Sequence, residues 1–221
     1  MKKIILLLSF LWAFIFISTL VYSQPFKNEI DAFKKSDSLS MPLPGGIVFA
    51  GSSSFRMWKD INTTFPDYPI INRGFGGSSL PDVIYYAEET IIKYKPKQIF
   101  IYCGENDIAG NSTITADTVL QRFKVLYSII RKKLNKQTEV VFVSIKPSIS
   151  RWHLEKTFNE SNQLIKDFLS REKNTTFLDV HSSMLTSDGN VMKDIFIADN
   201  LHMNSKGYKI WESLIRPVLI K

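Results

Sequence analysis

Five short apolar runs rich in β-branched residues, each separated from the next by a longer segment, constrain this chain more than any other feature. They lie at Gly46 to Ser52, Tyr68 to Asn72, Gln98 to Cys103, Glu139 to Ile145 and Thr175 to Val180. Each is too short for an independent helix and continuous enough to be buried on both faces, as parallel strands are. The longer segments Leu80 to Tyr94, Ala116 to Asn135, Leu154 to Arg171 and Ser205 to Leu219 carry apolar residues three and four apart, the spacing of amphipathic helices. Pro81 behind a Ser-Ser pair and Thr115 before Ala116-Asp117 mark helix starts, and Pro96 marks a stop near Lys95. The alternation predicts a parallel sheet covered by helices on both sides, with right-handed crossovers. Ligands of such sheets bind at the carboxyl ends of the strands, where the strand order reverses.

Residues 1–23 read separately. Met1-Lys2-Lys3 is a basic start, Ile4 to Tyr22 is almost wholly apolar, and Val21-Tyr22-Ser23 offers small residues before Gln24, the pattern of a cleaved export signal. The apolar run of about 19 residues is also long enough for an uncleaved anchor, which needs roughly 17 to 25. Residues 24–44 read as an arm or short helix, and residues 45–221 as one domain with a sizeable core. The formal charge of +7 is spread over pairs such as Lys34-Lys35 and Lys132-Lys133 rather than forming a stripe interleaved with aromatics, which argues against nucleic-acid binding. Cys103 is the one cysteine and ends an apolar run, as a small buried hydrophobe does. No spacing of cysteines or histidines suggests a metal.

Polar residues suited to chemistry follow the strands. Ser53, in Gly51-Ser52-Ser53-Ser54, sits where a strand gives way to a helical turn and where a nucleophile belongs. Asn72-Arg73-Gly74-Phe75-Gly76-Gly77 leaves the second strand through glycines able to expose amide donors, and Gly77 can aim its N–H at an oxyanion. Asn106, in Gly104-Glu105-Asn106-Asp107, brings an uncharged donor to the same edge. Asp199 and His202 lie three apart before the last helix, close enough for the carboxylate to orient the imidazole. Taken singly, each stretch also fits a turn, a cap or a chance pairing; their combination supplies nucleophile, oxyanion donors, base and orienter. His153 and His181 lack such an acidic neighbour and read as surface or packing residues, and Glu105 and Asp107 as wall or loop residues.

These four blocks, in this order, resemble the SGNH hydrolases, also called GDSL esterases and lipases, across roughly Gly46 to Leu219. The resemblance implies a three-layer α/β/α fold of flavodoxin-like type with a five-stranded parallel sheet. It also implies a catalytic Ser53, His202 and Asp199 and an oxyanion hole from the N–H groups of Ser53 and Gly77 and the side chain of Asn106. One block departs from the family pattern: Ser52 stands where the family usually has aspartate, and Ser54 where it has leucine.

The expected activity is hydrolysis of carboxylic esters through an acyl-serine, without metal or organic cofactor, by a protein exported to the periplasm or beyond. Acetyl esters of carbohydrates are the expected small-molecule substrates, with lysophospholipids and an inactive carbohydrate-binding role as alternatives. No obligatory protein partner is expected, and membrane contact only if the leader stays. Phe75, Trp152, Arg73 and Lys146-Pro147 follow strand ends and are candidate pocket walls.

Overall fold

A computed structural model describes residues 25–221, so the leader or anchor read at residues 1–23 lies outside the described residues. Strands β1 (Ile47–Gly51), β2 (Ile70–Gly74), β3 (Gln98–Tyr102), β4 (Glu139–Val143) and β5 (Thr175–Leu178) form one parallel sheet of order β2-β1-β3-β4-β5. This is the flavodoxin-like order, and its switch point lies between β1 and β3. The second strand runs two residues later than the apolar run suggests. Its ladder pairs Ile47 with Ile70 and Gly51 with Gly74, so pairing carries it through Arg73 to the glycine.

Alternate strand residues face opposite layers, as the two-residue pleat requires. Val48, Ala50, Ile99, Ile101, Val140 and Phe142 pack under the helices α1 (Lys27–Leu39), α4 (Leu80–Tyr85), α5 (Ala87–Thr90), α7 (Ala116–Lys133) and α8 (Glu155–Leu169). Ile47, Phe49, Phe100, Tyr102, Val141 and Val143 face the short helices α2 (Ser53–Arg56) and α3 (Ile61–Thr64) and the last helix, α9 (Ser205–Ile215). Trp211 of α9 is fully buried, with its ring centroid 5.0 Å from Tyr102 and 5.8 Å from Phe55. It thereby joins α9 to the strand and helix that flank the first serine block.

Two predicted helices are broken. The segment from Leu80 splits into α4, α5 and a 3-10 turn at Ile92–Tyr94. Thr90 Oγ1 donates to the carbonyl of Tyr86 at 2.8 Å, a back-bond that bends helices, and a β-branched run follows it. The last helix ends at Ile215 and tightens to a 3-10 turn around Pro217, which has no N–H to continue it. A further helix, α6 (Glu105–Gly110), starts directly behind β3.

Candidate active site

The serine block turns sharply at the end of β1. Gly51 has φ 134°, and a side chain there would begin 2.0 Å from the carbonyl oxygen of Tyr102, so only glycine lets β1 and β3 end side by side. Ser52 is buried and donates its N–H to that same carbonyl at 3.0 Å. Ser53 then opens α2, and as a first helical residue its N–H has no partner within the helix. Behind this turn, Asn72 donates from Nδ2 to the carbonyl of Phe55 at 2.8 Å and accepts from Gly74 N–H at 3.0 Å. The α2 backbone rests on Gly74, where a Cβ would come within 2.5 Å of Arg56 N.

Asp199 and His202 come from one small loop. An antiparallel bridge between Phe196 and Met203 closes residues 197–202, and Ile197 N–H donates to the His202 carbonyl at 2.8 Å. Asn200 turns the tip with φ 57°. Asn204 caps α9 and also donates to the carbonyls of Asp194 and Phe196, which ties the loop to the helix. Within the loop Asp199 Oδ1 accepts from the N–H groups of Leu201 and His202, both at 2.9 Å, and Oδ2 lies 2.6 Å from His202 Nδ1. Burial raises the Asp199 pKa, but these hydrogen bonds, the imidazole's first, outweigh it and hold the carboxyl at about 2. A carboxylate only accepts, so Nδ1 carries the proton and the Nε2 of the neutral ring is free to accept. Nε2 lies 2.9 Å from Ser53 Oγ. Of the three adjacent serines, Ser53 is the one that reaches the histidine; Ser52 and Ser54 are buried.

Gly77 and Asn106 lie against each other. A side chain at Gly77 would begin 3.8 Å from Asn106 Nδ2, and among the described residues no acceptor takes the Gly77 N–H. The neighbouring Gly76 N–H is instead donated to Glu29 Oε2 of α1 at 2.7 Å. Asn106 Nδ2 donates to the Ser78 carbonyl at 3.1 Å, and Arg151 Nη1 donates to Asn106 Oδ1 at 3.0 Å.

Several expectations about surrounding residues are corrected. Glu105 and Asp107 are buried members of hydrogen-bond networks, not loop solubilisers. Asp107 accepts from Leu80 N–H at 2.8 Å and from Arg122 at 2.7 Å, so it fixes the start of α4 and the side of α7 to α6. Glu105 accepts from Tyr102 Oη at 2.5 Å and pairs with Lys146 at 3.4 Å and Arg151 at 3.1 Å. Of the candidate walls, Phe75 is buried between Phe26 and Tyr86, Arg73 points to Asp37 and Tyr94, and Lys146 is fully buried. Trp152 is half-buried and lines a groove of about 570 Å³ with Ile149, Asp188 and Lys193. His153 is exposed, whereas His181 is buried with its Nε2 2.6 Å from Glu155 Oε1, an acidic partner hidden from sequence spacing by 26 residues. Cys103 is buried, and burial pushes its thiol pKa up. Sequence reasoning missed Arg151 altogether; its one signal was a cation shortly after a strand end.

A doubly wound sheet with a hydrogen-bonded serine, histidine and aspartate at its carboxyl edge has the form of an α/β acyl hydrolase. The chain belongs to the GDSL-like Lipase/Acylhydrolase family, which its residues 45–210 match. Its fold is similar to that of a Streptococcus pneumonia protein provisionally described as a platelet activating factor, at TM-score 0.76 and 18% identity over 88% of this chain and 92% of that one. It is similar as well to a GDSL-like lipase from Bacteroides thetaiotaomicron, at TM-score 0.71 and 18% identity over 86% and 96%. An acetylxylan esterase from Geobacillus stearothermophilus superposes at TM-score 0.62 and 12% identity over 81% and 96%; catalytic mutants of that enzyme have been made at a histidine and at an aspartate three positions earlier. A curated relative from Escherichia coli, N-acylneuraminate cytidylyltransferase, is 27% identical over 177 residues. That match takes in 78% of this chain, which spans 40% of the length of the relative.

Proposed function

We propose that this acylhydrolase is an exported serine esterase that removes small acyl groups, acetyl above all, from carbohydrate esters. The observation that carries the chemistry is the unbroken hydrogen-bond series from Asp199 Oδ2 through the His202 ring to Ser53 Oγ, at 2.6 and 2.9 Å. His202 Nε2 takes the hydroxyl proton as Ser53 Oγ attacks the ester carbonyl carbon. The resulting oxyanion is held by the N–H groups of Ser53 and Gly77 and by Asn106 Nδ2. As the tetrahedral intermediate collapses, the carbon–oxygen bond to the alcohol breaks and His202 gives its proton to that leaving oxygen. Water then repeats the cycle, with His202 as its base, and releases the carboxylic acid. Asp199 orients the ring and stabilises the imidazolium at each step.

Support for the substrate is by analogy, since selectivity resides in the pocket walls and not in these five residues. The Geobacillus neighbour is named for acetylxylan, and the curated relative is named for an N-acylated sugar acid. Export rests on the leader read in residues 1–23. A panel of nitrophenyl esters from acetate to long chains, run beside acetylated xylooligosaccharides, tests the substrate class. Activity should be highest on acetate, fall at least about tenfold by octanoate, and release acetate from the oligosaccharide. A preference for long chains would replace carbohydrate esters with lipid esters.

A further inference from the structure

Buried charge in a small α/β domain is costly unless it is paired and hydrogen-bonded, so a cluster of three charged groups beside a candidate oxyanion hole calls for a reason. Glu105 follows β3, and Lys146 and Arg151 lie in the connection between β4 and α8. Lys146 and Glu105 have 1% and 5% of their side chains exposed, and Arg151 has 19%. Burial works against the Glu105 charge, but Lys146 and Arg151 outweigh it and hold its pKa below the usual range, so the carboxylate stays ionised. Two cations face one carboxylate here; burial lowers the Lys146 pKa against the opposing pull of Glu105 and of the more distant Asp199, and the nearby Asp107 is matched by Arg122. Lys146 Nζ also donates to the Leu201 carbonyl at 2.8 Å, which joins the cluster to the loop of Asp199 and His202.

The contact that matters most is from Arg151 to Asn106. A carboxamide has an oxygen that only accepts and a nitrogen that only donates, and the two ends are nearly the same shape. A guanidinium has no acceptor, so the Asn106 atom facing Arg151 must be the oxygen. That choice turns the amide nitrogen toward the Ser78 carbonyl, with Gly77 packed against the carboxamide as a whole. One of its hydrogens is taken by the Ser78 carbonyl at 3.1 Å, and the other remains for an oxyanion. We propose that Arg151, held by Glu105, is a positioning residue that fixes the orientation of the Asn106 carboxamide and polarises it toward a developing negative charge. This rests on the reading of Asn106 as an oxyanion donor. It assigns Arg151 an action on turnover through Asn106, without contact with substrate.

A double-mutant cycle on the full-length protein tests it, with nitrophenyl acetate as substrate and thermal unfolding followed in parallel. Asn106→Ala should lower kcat about 100- to 1000-fold, the usual effect of losing one oxyanion donor. Arg151→Ala should lower kcat about 10- to 100-fold with KM within about threefold. In the Asn106→Ala background, Arg151→Ala should cost less than about threefold, because its effect passes through a group already gone. Arg151→Lys, which keeps a charge for Glu105 to hold, should fall between wild type and Arg151→Ala and likewise add less than about threefold to Asn106→Ala. It stands in if Arg151→Ala does not fold. Losses that multiply in the double variants, or a change confined to KM, would overturn the proposal while leaving Asn106 in place. Near-normal turnover in Asn106→Ala would instead overturn the oxyanion reading beneath it.

Discussion

Asp199 sits in a ring of donors, and its depressed pKa has two separate consequences. Since the folded carboxyl titrates at about 2, below its ordinary 3.8, its interactions contribute to stability at all pH values above about 4 and are lost as the pH falls through 2. With 42% of the side chain exposed, screening keeps that contribution below about 1 kcal/mol. Acid unfolding of Asp199→Asn should therefore differ from wild type by a small margin at neutral pH, and the two should converge near pH 2. Activity is another matter. Asparagine can present its N–H to the imidazole and stabilise the wrong tautomer, so Asp199→Asn should lower turnover by about a thousand- to ten-thousandfold with little loss of melting temperature. His202→Ala should lose nearly all activity while staying folded, and what turnover remains should follow a different pH–rate profile from the wild type. A His202→Ala variant with normal activity and an unchanged profile would remove the histidine from the mechanism.

At the scale of elements, α1 shows how a segment with little sequence signal becomes part of the site's support. Its Asp37 is buried and accepts from Arg73 of β2 at 2.6 Å and from Tyr94 at 2.7 Å, with Lys93 also paired to it. These bonds seat α1 so that Glu29 can take the Gly76 N–H, beside the Gly77 donor. Asp37→Ala leaves two buried or half-buried cations unmatched and should destabilise the protein by about 3 to 5 kcal/mol, measurable by urea unfolding. A loss under 1 kcal/mol would mean that α1 is only loosely attached. The central strands β1, β3 and β4 were legible because burial on both faces leaves continuous apolar runs, the half-buried edge strands β2 and β5 because their β-branched residues follow the same rhythm, and the helices because their stripes repeat at helical spacing. The breaks at Thr90 and Pro217 were less so. A side chain bonding back to the backbone, or a helix tightening against its end, is decided by packing that periodicity does not encode.

For the whole molecule, the sheet order puts three sequence blocks at one edge and α9 brings the fourth, a convergence that an α/β alternation predicts only in outline. Ser53, Gly77, Asn106, Asp199 and His202 were readable because each lies beyond a strand or just before the last helix and carries a residue type suited to a role. The buried charges were not, since Glu105 is 41 residues from Lys146 and 46 from Arg151, and no local pattern links groups so far apart. The central claim is that Ser53 is an activated nucleophile, and covalent labelling tests it most directly. After incubation with an organophosphonate, intact-mass and peptide mass spectrometry should find one adduct, on Ser53, formed in step with loss of esterase activity and much reduced in His202→Ala. An adduct on Ser52 or Ser54, or continued ester hydrolysis by a protein in which Ser53 is replaced by alanine, would contradict it.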